Sequence, residues 1–280
     1  MLAVVCAPVA LVAWRHGEGI DVQSDCGGWC ADLRGLRRGP SAGCSAASGA
    51  AGTVPARVAD ANSLTGKYRV ERRLATGAFG YDGEAFVVPR GTATYDLYWY
   101  RYRAPGRMGL GLRSETLLGA AYHKDTSDTT GLGIVIYKVA GGSLDGIRLT
   151  DSSPDGVTGK ERLEGSADLQ GSYTIVESAN AFGASNYAGH VEISNRGGRY
   201  LLQWFAPDLA YSGIGVRIGD RLVVAFSAER EPPGLLVYCL GAGAMTGLGT
   251  AGFGSVLEQQ HLRRRDLPDN GAAFPDCQWH

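Results

Sequence analysis

The side chains able to do chemistry are scattered along this chain, and two groups of them stand out by their spacing. His190 and Glu192 are two residues apart, so on a strand they share one face and can touch the same bound group. An acid and a base so placed would serve a hydrolase or isomerase working in a barrel cavity. The alternative is an ordinary polar face turned to solvent. The second group is Tyr98, Tyr100 and Tyr102, which alternate along one run with Arg101, Arg103 and Arg107 around them. Phenol rings carry a polar handle, and guanidinium groups can stack on or pair with a ligand. Together they suit a small apolar or aromatic molecule, a glycan or a protein surface. The competing reading is that the tyrosines pack between two repeats. Tyr98, Tyr100, Tyr102, Arg101 and Arg103 are therefore the candidate ligand-binding residues. Tyr95 and Trp99 take the opposite phase and, with Tyr200 and Trp204, are expected in the core.

Other chemistries find no local support. The five histidines, His16, His123, His190, His261 and His280, stand in neither H-x-H nor H-x-x-x-H spacing, so no metal site is assigned. No Gly-x-Ser-x-Gly elbow is present to strain a nucleophile, and no catalytic residue is assigned. The stretch GAGAMTGLGTAGFG resembles a phosphate loop, but no helix follows whose N-terminus would hold the anion. Tight turns between strands are expected there, and neither a nucleotide nor another cofactor. Cys26-Gly-Gly-Trp-Cys30 can close a small disulfide loop, yet no second Cys or His pair follows at zinc spacing. Cys239, beside Val237 in a strand-like run, reads as a buried inert thiol.

The elements that must position these residues follow from composition and periodicity. The formal net charge of -1 over 280 residues supplies no field to draw in nucleic acid or an anionic membrane surface. The opening run MLAVVCAPVALVAW has the length of a signal-peptide core and is too short to span a bilayer. A periplasmic or extracellular protein without an integral membrane span is expected. Residues 1–62 are expected to be poorly structured, with that signal-like run followed by a small-residue linker. Ser41-Ala42-Gly43-Cys44 also ends like a lipoprotein cleavage box.

From Gly66 the texture changes to short runs of alternating apolar and polar residues punctuated by Gly, Pro, Asp, Ser and Asn, the pattern of an all-β meander. Eight runs up to about residue 166 are followed by eight more. Tyr95, Leu97 and Trp99 correspond to Tyr200, Leu202 and Trp204. Gly109 and Gly111 correspond to Gly213 and Gly215, and Gly133 and Tyr137 to Gly234 and Tyr238. Eight antiparallel strands avoid exposed edges by closing on themselves. The expectation is two tandem up-and-down barrels, 63–166 and 167–266, with an irregular tail at 267–280. A single larger closed or sandwiched sheet is the alternative. The alternating glycines are expected to allow sharp coiling of their strands.

This order of pieces is Gly171-Ser172-Tyr173, Tyr187-Ala188-Gly189, Trp204, Gly213-Ile214-Gly215 and Gly234 to Tyr238. It resembles a group of uncharacterised, mostly bacterial exported β-repeat proteins, some labelled fibronectin-binding. The resemblance covers Gly66 to about Leu262, implies the barrel fold and export, and carries no catalytic residue. By shape alone the topology is similar to the avidin and lipocalin class. The function expected is that of a non-enzymatic binder of a small ligand or surface partner. A structural or adhesive envelope role without ligand is the alternative.

Overall fold

In the computed structural model of the protein, the described residues are 63–267, apart from 74–75, 102–105, 124–127, 181, 186, 208, 230 and 252–256, together with 273–277. The expectations for residues 1–62, including the Cys26–Cys30 loop and Cys44, lie outside them, as do Tyr102 and Arg103.

Sixteen antiparallel strands close into two eight-stranded barrels. The first five are β1 (Gly66–Arg73), β2 (Phe79–Pro89), β3 (Thr94–Arg101), β4 (Arg107–Ser114) and β5 (Leu117–Tyr122). Eight more run without interruption through the second barrel: β6 (Leu132–Ala140), β7 (Ser143–Thr150), β8 (Gly159–Gly165), β9 (Gly171–Ala179), β10 (His190–Arg196), β11 (Arg199–Ala206), β12 (Leu209–Ile218) and β13 (Arg221–Ser227). The chain then returns to complete the first with β14 (Gly234–Leu240), β15 (Ala244–Ala251) and β16 (Glu258–Arg264). β5 pairs with β14 and β1 with β16, while β6 pairs with β13. We call β1–β5 plus β14–β16 the split barrel, and β6–β13 the continuous barrel.

The segments 63–166 and 167–266 are therefore not separate barrels. Each segment gives its first five strands to one barrel and its last three to the other. β6 and β14 carry the same Gly-to-Tyr pattern, so the repeat sets their register without choosing between β5 and β13 as partner. The exchange places the outer faces of these four strands in one apolar layer. Leu110, Leu117, Ile134, Ile214, Val223 and Val237 are among its buried members. This is why β5 and β13 are buried at nearly every position, where a half-exposed strand would alternate. A polar clamp joins the barrels as well. Arg90 donates to the carbonyls of Asp151 and Ser153 (2.7 and 2.8 Å), and Thr94 Oγ1 donates to Gly156 O at 2.9 Å.

Both interiors are filled by side chains. Tyr68, Leu97, Trp99 and Tyr238 are buried in the split barrel, and Tyr137, Leu202, Trp204 and Phe226 in the continuous one. Tyr95 and Tyr200 are buried with them. The repeated glycines are seats for these rings. A Cβ on Gly109 or Gly213 would stand 2.9 or 2.8 Å from the Trp99 or Trp204 ring. One on Gly247 or Gly146 would stand 2.5 or 2.7 Å from Tyr238 or Tyr137. Glycine at these points leaves the volume that an aromatic ring occupies.

Cys239 is not a free thiol. It forms a disulfide with Cys277, with Cα atoms 5.9 Å apart. The bond ties the irregular tail to β14, and Phe274 stacks on His261 of β16 at 4.0 Å.

Candidate functional site

The two barrels have corresponding mouths, built at the C-terminal ends of β3 and β5 and of β11 and β13. Register makes the correspondence residue by residue. Tyr137 pairs with Gly146, which pairs with Glu161; Tyr238 pairs with Gly247, which pairs with Gln260. Glu161 and Gln260 are thus equivalent, as are Trp204 and Trp99, Phe226 and Tyr122, and Tyr187 and Tyr81.

In the continuous barrel this mouth is plugged from within. Glu161 is buried, and three donors converge on its carboxylate: the Tyr137 hydroxyl, the Tyr187 hydroxyl and Trp204 Nε1 at 3.4 Å. Arg148, also buried, donates from Nη1 to the Tyr187 oxygen at 2.7 Å. Its guanidinium lies 5.1 Å from the Tyr187 ring centroid and 6.0 Å from that of Phe226. Burial, and then the neighbouring Glu161 charge, push the Tyr137 and Tyr187 hydroxyls well above the usual phenol range. Both therefore stay protonated and donate. The arrangement has one anion, one cation and a neutral phenol between them, all hydrogen-bonded, which is the condition for burying such groups.

In the split barrel the same mouth is open. Tyr81 is 53 % exposed on the outside, where Arg69 lies 5.1 Å from its ring centroid. A cavity of about 60 Å³ stands open there, bordered by Trp99, Tyr100, Tyr122, Arg101, Arg107 and Gln260 among others. The carboxylates on its rim have cations of their own. Asp82 meets Arg101 at 3.1 Å and Arg72 at 3.8 Å, and Glu258 meets Arg72 at 3.3 Å. Glu84 meets Lys67 at 2.7 Å and also Arg265, and the two hold its carboxyl below the usual range. Arg107 has no carboxylate partner among the described residues; its guanidinium lies 5.4 Å from the Tyr122 ring centroid. Burial raises the Tyr122 hydroxyl, while the Arg107 charge pulls it back. Trp99 Nε1 donates to Tyr238, whose hydroxyl donates to Gln260 Oε1, each at 3.4 Å. With its oxygen engaged, the Gln260 amide has its two N–H donors for another partner.

Of the candidate ligand-binding residues, Tyr100 and Arg101 border this cavity. Tyr98 is half-buried on the outer face of β3 and does not border it. Neither Tyr98 nor Tyr100 belongs to the apolar layer between the barrels; Tyr100 stands edge-on to Phe86 at 5.6 Å. Packing between repeats therefore does not explain them. His190 and Glu192 sit on the outer face of β10, about half exposed and 4.0 Å apart, with His190 stacked on Phe205. Beside Glu192 is a depression of about 450 Å³ bordered by strand-face residues such as Arg196 and Gln203, and no ring borders it. Sequence reasoning missed Glu161, Arg148, Tyr122 and Gln260. The signal for Glu161 lay in GKERLE, where alternation puts it in phase with Leu163 and so inside the barrel.

Among the described residues no group of three His, Cys, Asp or Glu side chains is placed to hold a metal ion. No helix among them is long and apolar enough to cross a membrane. Compared with family models, curated proteins and solved structures, the chain matches none.

Proposed function

We propose that this chain is an exported, non-enzymatic binding protein that takes its ligand at the mouth of the split barrel. The observation that carries this reading is the contrast between equivalent positions: one mouth filled by the protein's own Tyr187, the other open and lined by rings and Arg107. Both interiors are packed, so the ligand is held at the rim, not deep in a lumen as in a lipid carrier. Recognition at a partly enclosed site through a few rings and directed donors suits a small molecule or the tip of a larger partner. Export is supported by the Cys239–Cys277 disulfide, a bond typical of oxidising compartments, and by the resemblance to exported β-repeat proteins. The His190–Glu192 pair offers little to an enzyme reading, because it lies on an open strand face away from both mouths.

The test is native mass spectrometry of the full chain before and after solvent extraction. Amide NMR titration with a panel of sugars, aromatic acids, amines and lipids should accompany it. A ligand lost on extraction, or saturable shifts at the Trp99 indole and Gln260 amide, supports the reading. An empty chain that responds to none of these classes would move the assignment to a structural or adhesive envelope role.

A further inference from the structure

The two mouths differ in which groups the protein supplies for itself, and the difference specifies the missing partner. In the continuous barrel a guanidinium over the Phe226 ring donates to the Tyr187 oxygen, and Glu161 accepts from the same hydroxyl. In the split barrel a guanidinium again stands over the equivalent ring, although it comes from a different strand: Arg107 of β4 over Tyr122, where Arg148 belongs to β7. The register position of Arg148 is held there by Gly249. The charge placement is thus kept while its source has changed. What is absent at the split barrel is an inward hydroxyl in the place of Tyr187, since Tyr81 is outside, and the inward carboxylate of Glu161, since Gln260 replaces it; Arg107 meets the Tyr122 hydroxyl instead.

We infer that the split-barrel mouth binds a small aromatic monocarboxylate. Its carboxylate enters the cavity against Arg107 and the Gln260 amide, and its ring rests on the Trp99, Tyr100 and Tyr122 rim. This rests on the binding-protein reading above and names the ligand class for the same site. Three observations fix the class. The continuous mouth is charge-balanced by Arg148 and Glu161 and so takes a neutral phenol; the split mouth has a guanidinium with no carboxylate partner among the described residues, and so takes an anion. The cavity of about 60 Å³ admits a head group and falls short of the roughly 150 Å³ that encloses benzene. The ring must therefore stay at the lip, where the aromatic side chains are. Guanidinium and primary amide both supply N–H donors of the kind a planar carboxylate accepts.

The experiment is titration of the full chain with benzoate, 4-hydroxybenzoate, benzamide and benzylamine, followed by calorimetry and by the Trp99 and Gln260 NMR signals. Both carboxylates are expected to bind at least tenfold more tightly than benzamide, with benzylamine not binding. Arg107→Gln should weaken benzoate at least tenfold. Gln260→Glu restores the carboxylate of the continuous barrel; it should weaken benzoate at least tenfold and make 4-hydroxybenzamide, a neutral phenol, bind measurably and more tightly than benzoate. Thermal melts and near-UV circular dichroism of each variant confirm the fold. Equal affinity for benzoate and benzamide, or benzoate binding unchanged in both variants, overturns the proposal. Binding of a neutral sugar or an amine at the same signals, without benzoate, overturns the ligand class but leaves the binding-protein reading standing. Silence of the site toward every class overturns both.

Discussion

Two mouths with equivalent residue positions have been finished in opposite ways. The continuous barrel folds Tyr187 inward and secures it with Glu161 and Arg148, so its polar groups serve only one another. The split barrel turns Tyr81 outward and keeps a cavity whose amide and guanidinium have donors to spare. What separates the two mouths is the destination of the hydrogen bonds, since Trp99 and Trp204, and Tyr122 and Phe226, hold equivalent positions in the two barrels. A polar group whose partners are all internal stabilises the fold; the same position with a partner withheld keeps its bonding capacity for another group.

The comparison breaks most visibly at Glu161. Glu161→Ala strands two buried phenols and leaves Arg148 uncompensated, so a loss of about 3–5 kcal/mol in unfolding free energy is expected. Gln260→Ala should cost about 1 kcal/mol. Urea unfolding of both variants checks this, and equal losses would erase the distinction between the mouths. The glycine seats give the next largest contrast. A Cβ at Gly133 would stand 2.1 Å from the Phe226 ring, and one at Gly234 2.2 Å from the Tyr122 ring. Phe226 is hemmed in by Trp204 and Tyr211, whereas Tyr122 borders open space. Gly133→Ala should cost about 3 kcal/mol and Gly234→Ala about 1 kcal/mol, the two ends of the overpacking range. Similar melting temperatures would mean that the split mouth is as rigid as the other.

Removing one hydroxyl sharpens the contrast further. Tyr187→Phe deletes contacts to two charged groups and should cost about 1.5–3 kcal/mol. Tyr81→Phe, exposed, should stay within about 0.5 kcal/mol. The smallest effect is on pH dependence. His261 lies stacked between Phe79 at 3.8 Å and Phe274 at 4.0 Å, and burial lowers its pKa from the ordinary histidine value. The unfolded chain therefore takes up the proton first. The stabilisation is present above about pH 6.5 and is lost as pH falls toward the lowered value. The corresponding residue of the continuous barrel is Arg162, next to Glu161 as His261 is next to Gln260. His261→Phe should flatten the fall in unfolding midpoint between pH 7.5 and 5.5; an unchanged slope would assign it to other groups.

Strand content, the eight-plus-eight count and the antiparallel closure were legible because turn residues and period-two alternation are local properties. The partner of β5 was not. Nothing local in Leu117–Tyr122 distinguishes β6 from β14, and the choice is made by an apolar layer assembled from strands more than a hundred residues apart. The site was half legible for a similar reason. Tyr100 and Arg101 announce themselves by type, but Gln260 and Arg107 matter through Glu161 and Arg148, and that relation exists only once the two registers are laid side by side. The expected role of the glycines in coiling also missed their neighbours: the seat is defined by a ring on the adjacent strand.

The exchange of strands has a consequence for how the chain is made. β5 ends at Tyr122 and the last strand at Arg264. At about 5–20 residues per second, the first five strands wait roughly 7–30 s for the three that seal them. During that interval β1 and β5 are open edges able to template other chains, while the continuous barrel can already close. The nascent protein thus has a built-in order of completion: the continuous barrel first, the split barrel last.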